Sequence, residues 1–314
     1  MIKDLYVSYS AGSDSSTQIK SISDYYDKLA RQIYDREAYR YYEVEDTSLR
    51  DALVHIDMAA FGRHYNSKEP LLSGSYLSYY LETVYTEYSA GKLKVRINFP
   101  YNKPDMDRHF EKMEKLSKEL KGDTDYETVL NVHNYLIDHF DYDDSSSMKN
   151  HTDIDGFKDG VMVCSGYGLA TYYLLNKAGV DTRIITGYGG EGDGPSNHLW
   201  NMVKLDGQWY NLDVTWDDLG GENKTYNYFL KSDKDFPKHI RVGGYDIDGG
   251  TPAVAKTSYK HPFTFNDIQN PEMIPRLLFG VFILGIVILI CIKKIKAKRE
   301  NRLIEPNSES SGKV

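Results

Sequence analysis

Apolar residues recur at helical spacing from residue 22 onward, where Ile22, Tyr25, Tyr26, Leu29, Ile33 and Tyr34 fall near i, i+3 and i+4. The pattern predicts helix over 22–60, after a polar, Ser-rich lead-in over 1–20. A break at Pro70 to Gly74 leads into 76–88, and Leu93 to Phe99 then alternates apolar and polar positions as a strand does. Two further helices are expected over 105–120 and 125–140, the second with Val129, Val132, His133, Leu136, Ile137 and Phe140 on one stripe. Polar positions dominate 141–159, which reads as a loop of the kind that lines a cleft. A strand is expected over 182–186. The Gly-rich stretch 187–194 precedes a strand and lacks a Lys-Ser or Lys-Thr pair, so it predicts a cleft-edge flap rather than a phosphate cradle.

The sharpest local signal is Asp206-Gly207, set between two alternating runs. A type I′ turn needs positive φ at both central positions, so Asp-Gly predicts a two-residue hairpin. Its register sets Leu205 opposite Gln208, Val203 opposite Tyr210 and Trp200 opposite Asp213. One face then carries His198, Trp200, Met202 and Lys204 with Trp209, Asn211, Asp213 and Thr215. The other carries Leu199, Val203 and Leu205 with Tyr210, Leu212 and Val214. His198 and Asp213 become diagonal neighbours, about 7–8 Å apart along the backbone and within reach of a side-chain hydrogen bond.

Upstream, Val161-Met162-Val163-Cys164-Ser165-Gly166-Tyr167 reads as a strand or loop that delivers a thiol to the first turn of a helix. Unpaired N–H groups and the positive end of the helix dipole favour thiolate there. A lone cysteine is more often an inert buried residue. What favours chemistry is the downstream pair, because an imidazole oriented by a carboxylate can take the thiol proton.

Three motifs, Val163-Cys164-Ser165-Gly166-Tyr167, His198-Leu199-Trp200-Asn201 and Tyr210-Asn211-Leu212-Asp213-Val214-Thr215-Trp216, together resemble the transglutaminase-like superfamily of papain-like cysteine enzymes. The resemblance is greatest to its bacterial and kyphoscoliosis-type peptidase members and runs from about Ile22 to about Tyr245. It implies Cys164 as nucleophile, His198 as general base and acid, and Asp213 as orienter. The implied fold is α+β: a papain-like core with the cysteine at a helix N-terminus, packed on an antiparallel sheet that carries His198 and Asp213. The implied chemistry is attack on a protein or peptide amide through an acyl-enzyme, with hydrolysis favoured. Alternatives are a cross-linking transglutaminase and a non-catalytic surface binding module on the same scaffold. Tyr142 is a candidate second oxyanion donor, since an aromatic or Gln donor upstream of the cysteine is usual in this fold.

No cofactor is expected. His133 and His139, or His55 and His64, do not share a helical face at i, i+4, so no zinc pattern arises. The acidic run from Asp141 to Asp159 lacks the spacing of a calcium loop. A net charge of -8 argues against nucleic acid as a partner. Tyrosine is abundant before residue 90 and is expected to be core and groove material.

Beyond the core, 246–272 with Pro252, Pro262 and Pro271 predicts a stalk, and the apolar run over 273–292 predicts one transmembrane helix. Lys293, Lys294, Lys296, Lys298, Arg299 and Arg302 follow, which by the positive-inside rule predicts a cytoplasmic tail over 293–314. The expected setting is a single-pass cell-membrane protein whose catalytic domain is extracellular and meets envelope or extracellular proteins. That topology calls for an export signal ahead of this sequence; the alternative is a cytosolic tail-anchored chain. The expected division is thus 1–20, a Tyr-rich region over 21–100, a catalytic core over 101–245, then stalk, span and tail.

Overall fold

In the computed structural model, residues 17–145, 149–190, 196–221, 224–242 and 251–260 are described. Contacts divide the chain into Met1–Tyr259 and Lys260–Val314, and the description below concerns the first unit. Its first helix begins where Ser21 Oγ accepts the Asp24 N–H at 3.1 Å. This α1 (Ile22–Tyr34) buries Tyr25, Tyr26, Leu29 and Ile33 along one stripe.

The helix predicted over 22–60 ends there. Arg36 takes a left-handed φ of 56° and turns the chain into β1 (Tyr39–Glu43). The Tyr-Arg-Tyr-Tyr run suits a pleated surface better than a helix. Three short helices follow, α2 (Arg50–Val54), α3 (Met58–Arg63) and α4 (Gly74–Leu77). Then come β2 (Thr83–Ser89) and β3 (Lys92–Asn98), forming an antiparallel sheet in the order β1-β3-β2.

The expected helix pair is present as α5 (Lys103–Glu119) and α6 (Asp125–His139). A capping box, Thr124 with Glu127, starts α6. The stretch read as a loop over 141–159 contains β4 (Asp141–Tyr142) and α7 (Asp153–Asp159). Its acids do not all face water: Asp153 is fully buried and accepts from the Tyr76 and Tyr80 hydroxyls. The tyrosines of the first hundred residues thus supply core as well as hydroxyl donors for a buried carboxylate.

After β5 (Val161–Met162) come α8 (Cys164–Ala178), β6 (Thr182–Gly189), β7 (Ser196–Leu205), β8 (Gln208–Leu212), α9 (Val214–Asp217) and β9 (His239–Arg241). The second sheet runs β8-β7-β6-β9, all antiparallel. Leu199, Val203, Leu205 and Leu212 on one face join the main core, which also holds the buried side chains of α8. The opposite face is also covered, by a smaller cluster of Ile185, Trp200, Met202 and Phe236.

Edge strand β9 can approach β6 this closely only because position 187 has no side chain. An added Cβ would lie 2.1 Å from the Ile240 carbonyl oxygen and 2.9 Å from the Trp200 ring. Gly187→Ala is therefore expected to lift β9 off the sheet at a cost of about 1–3 kcal/mol. In a domain of this size each kcal/mol lowers Tm by about 2–4 °C. Calorimetry checks this, and an unchanged Tm would contradict the packing argument.

Two expectations beyond the core are revised. The stalk expected over 246–272 does not leave the body at residues 254–259: Ala255 N–H donates to the Trp209 carbonyl at 2.8 Å, and Tyr259 stacks on Tyr126. The transmembrane helix in the expected fold class is also corrected. Among the described residues no helix is long and apolar enough to cross a membrane, and the run 273–292 lies outside them. The longest described helix, α5, has 17 residues and charge along its length, burying only a stripe from Met106 to Ser117. The described residues form a mixed α+β fold.

Candidate active site

The hairpin forms as its turn chemistry predicts. Asp206 and Gly207 both adopt positive φ, 50° and 76°, and Leu205 pairs with Gln208 and Val203 with Tyr210. Pairing runs as far as Asn201 with Leu212; one residue on, the chain leaves β8 and Asp213 becomes the N-cap of α9. Its Oδ1 accepts the Trp216 N–H at 3.2 Å. That exit aims the other oxygen across the sheet, where His198 Nε2 donates to Oδ2 at 2.7 Å.

Cys164 occupies the first position of α8, and the N-cap Val163 offers no side chain to the first turn. The N–H groups there are thus directed at whatever occupies the site. The thiol is partly exposed, whereas the His198 and Asp213 side chains are 6% and 1% exposed. With Nε2 engaged by Asp213, Nδ1 is the nitrogen left for Cys164. Burial alone would lower the basicity of His198. The hydrogen bond to Asp213 and the contact with Cys164 outweigh it and push the pKa up to about 10. Burial acts on Asp213 in the opposite sense to its partners: it raises the pKa, and the hydrogen bonds from His198 and His239 hold it below the usual carboxylate range.

Residues 114–214 match the transglutaminase-like superfamily. The matched segment contains all three predicted residues, Cys164, His198 and Asp213, and the matching model is that of the superfamily their motifs resemble. Among solved structures, the chain is similar to a candidate cysteine protease from Cytophaga hutchinsonii, at 14% identity over 60% of this chain and 78% of that one, TM-score 0.32. It is also similar to a TGase structure at 14% identity over 71% of this chain and 64% of that one, TM-score 0.33. LapG of Legionella pneumophila matches at 17% identity over 50% of this chain and 83% of its own, TM-score 0.32. No curated protein matches the chain.

Tyr142 lies close by. It pairs with Met162 in the short parallel β4–β5 ladder that leads into Cys164. Burial raises its pKa, and the neighbouring charge of Cys164 raises it further, so the phenol keeps its proton and remains a hydrogen-bond donor.

One site residue has no counterpart in the sequence reading. His239, on β9, brings Nε2 to 2.9 Å from the same Asp213 oxygen that His198 uses. Its side chain is 2% exposed, with Phe236 stacked on its ring at 3.9 Å and Trp216 at 4.3 Å. No motif surrounds Pro237-Lys238-His239, and only the pairing of β9 with β6 carries it to the site. Among the described residues His198, Asp213 and His239 have ligating atoms that all lie within 4.8 Å. Two imidazoles meeting one carboxylate oxygen at hydrogen-bond distance already satisfy each other, so hydrogen bonding accounts for the cluster.

Proposed function

We propose that the chain is a cysteine hydrolase that cleaves amide bonds of protein or peptide substrates through an acyl-enzyme. The observation that carries this reading is the alignment of Cys164 at a helix start with an imidazole whose far nitrogen is held by a buried carboxylate. The thiolate attacks the carbonyl carbon, forming a C–S bond as the π electrons move to oxygen. The Cys164 N–H and the Tyr142 hydroxyl are the donors for that oxyanion. Collapse re-forms the carbonyl and breaks the C–N bond, and His198 gives its proton to the leaving amine. Water then attacks the thioester and passes a proton to His198. Loss of the thiolate leaves a carboxylic acid, so the sum is amide plus water giving acid plus amine.

The surroundings favour water as the acceptor. Trp216, whose ring lies 5.2 Å from His198, borders an open cleft of about 370 Å³ walled also by Leu219, Asn227 and Tyr228. Transamidation needs a channel that admits a lysine and excludes bulk water. The test offers a peptide mixture together with a fluorescent primary amine. Cleavage without amine incorporation supports hydrolysis; incorporation without cleavage makes the enzyme a transamidase. Neither product, with Cys164 alkylated no faster than in denatured protein, leaves a binding module.

Tyr142→Phe removes one donor and leaves the exposed ring in place. It is expected to lower kcat by about 10²–10³-fold with little change in KM. Full activity in this variant would assign the second donor elsewhere.

A further inference from the structure

Asp213 serves two imidazoles, and only one of them faces the thiol. His239 Nε2 approaches Asp213 Oδ2 at 2.9 Å, and its Nδ1 approaches the Pro237 carbonyl oxygen at 2.9 Å. Both oxygens are acceptors: a carbonyl has no proton to give, and Asp213 is held in its ionised form. A neutral imidazole can donate from one nitrogen only and would set its remaining lone pair against one of these oxygens. The ring itself is 2% exposed, so although Pro237 lies at the surface little water reaches the two nitrogens to relieve that repulsion. Satisfying both contacts takes a hydrogen on each nitrogen.

We propose that His239 is a positioning residue for the nucleophilic centre: a buried imidazolium that clamps Asp213 from β9 and weakens the pull of that carboxylate on the His198 proton. The inference rests on the catalytic reading of Cys164 and His198 and extends it from three residues to four. Its geometric effect is that Oδ1 is held by the Trp216 N–H and Oδ2 by two N–H donors, so Asp213 cannot swing away from His198. Its electrostatic effect follows from the 5.4 Å between the two imidazole centroids. A second cation at that distance disfavours the charged form of His198. His198 therefore yields its proton to a leaving amine more readily than Asp213 alone would allow. The titratable groups facing the His239 ring are Asp213 from the start of α9, His198 from β7 and Tyr228, whose ring lies at 5.6 Å. The remaining walls are Trp200, Trp216 and Phe236.

Removing the His239 charge strengthens the hold of Asp213 on the His198 proton, so His198 stays protonated to higher pH. The experiment measures the rate at which iodoacetamide alkylates Cys164 in the intact chain against pH, with peptide mass mapping to separate Cys164 from Cys291. In H239Q, the limb that reports proton loss from His198 is expected to move up by about one pH unit. H239K, which retains a cation, is expected to restore the original limb. A limb that stays put or moves down in H239Q overturns the inference, because a purely structural histidine would loosen Asp213 and lower it.

A second measurement does not depend on reactivity. Proton NMR of the C164A chain is expected to show downfield N–H resonances from both nitrogens of His239, one on Asp213 and one on the Pro237 carbonyl, and both vanish in H239Q. Loss of only one downfield resonance in H239Q marks a neutral His239 and overturns the inference even if the Cys164 chemistry stands. If Cys164 alkylates no faster than in denatured protein, the catalytic reading fails instead, and the resonance count alone decides the state of His239.

Discussion

His198→Ala is expected to lower turnover by roughly 10²–10⁴-fold, the span over which a positioned general acid and base contributes. The loss is expected on kcat and kcat/KM together, because in the proposed mechanism the imidazole acts when the thiol is deprotonated and when the amine leaves rather than in holding the substrate. Wild-type activity is expected to show a matching pH limb. The partners of His198 push its pKa up to about 10, so the imidazolium that must protonate the amine persists below that pH and is lost as pH rises through it. Rates measured from pH 6 to 11 check this. Undiminished activity in His198→Ala would remove the histidine from the mechanism and leave Cys164 without its base.

Asp213→Ala is expected to cost more than orientation. The carboxylate is wholly buried and accepts from His198, His239 and the Trp216 N–H that it caps. Deleting it leaves three donors facing a cavity, and breaking a buried charged pair in this way costs about 3–5 kcal/mol. At about 2–4 °C per kcal/mol, Tm is expected to fall by roughly 6–20 °C, with activity falling as well. Asp213→Asn keeps the volume and one acceptor, so it separates the two losses: much of the stability returns while the orientation of His198 does not. Equal melting temperatures for wild type and Asp213→Ala would show that the carboxylate is replaceable by water and is not the keystone of this corner.

The sign of the stability dependence follows from the same groups. His198 has its pKa raised above that of a free histidine, so its contribution is full below about pH 6.5 and is lost as pH rises through about 10. Asp213 has its pKa lowered, so its contribution is present above the ordinary carboxylate range and is lost as pH falls through its folded pKa. Both contributions are present together in mildly acidic solution.

How much was legible in the chain depends on the range of the interaction that decided each feature. The hairpin was readable because Asp206-Gly207 sets its own turn and an exact period of two carries the register outward to His198 and Asp213. The start of α8 was readable because the apolar entry and the Cys-Ser-Gly run mark it locally, and α6 because Thr124 and Glu127 cap it. These short-range rules, with the family motifs, sufficed to single out Cys164, His198 and Asp213 as candidates.

Other features were decided only in three dimensions. Tyr39–Glu43 falls inside the stretch expected to be helix, yet it is a strand because β3, far along the chain, supplies its hydrogen bonds. Asp153 looks like one solvated acid among several until Tyr76 and Tyr80 close over it. His239 carries no motif and sits after an irregular stretch. It reaches Asp213 because Gly187 lets β9 press against β6, a contact between residues that nothing in their own neighbourhoods links. Local backbone preference thus determined which residues could form the site, and long-range packing decided which further residues surround it and what charge they bring.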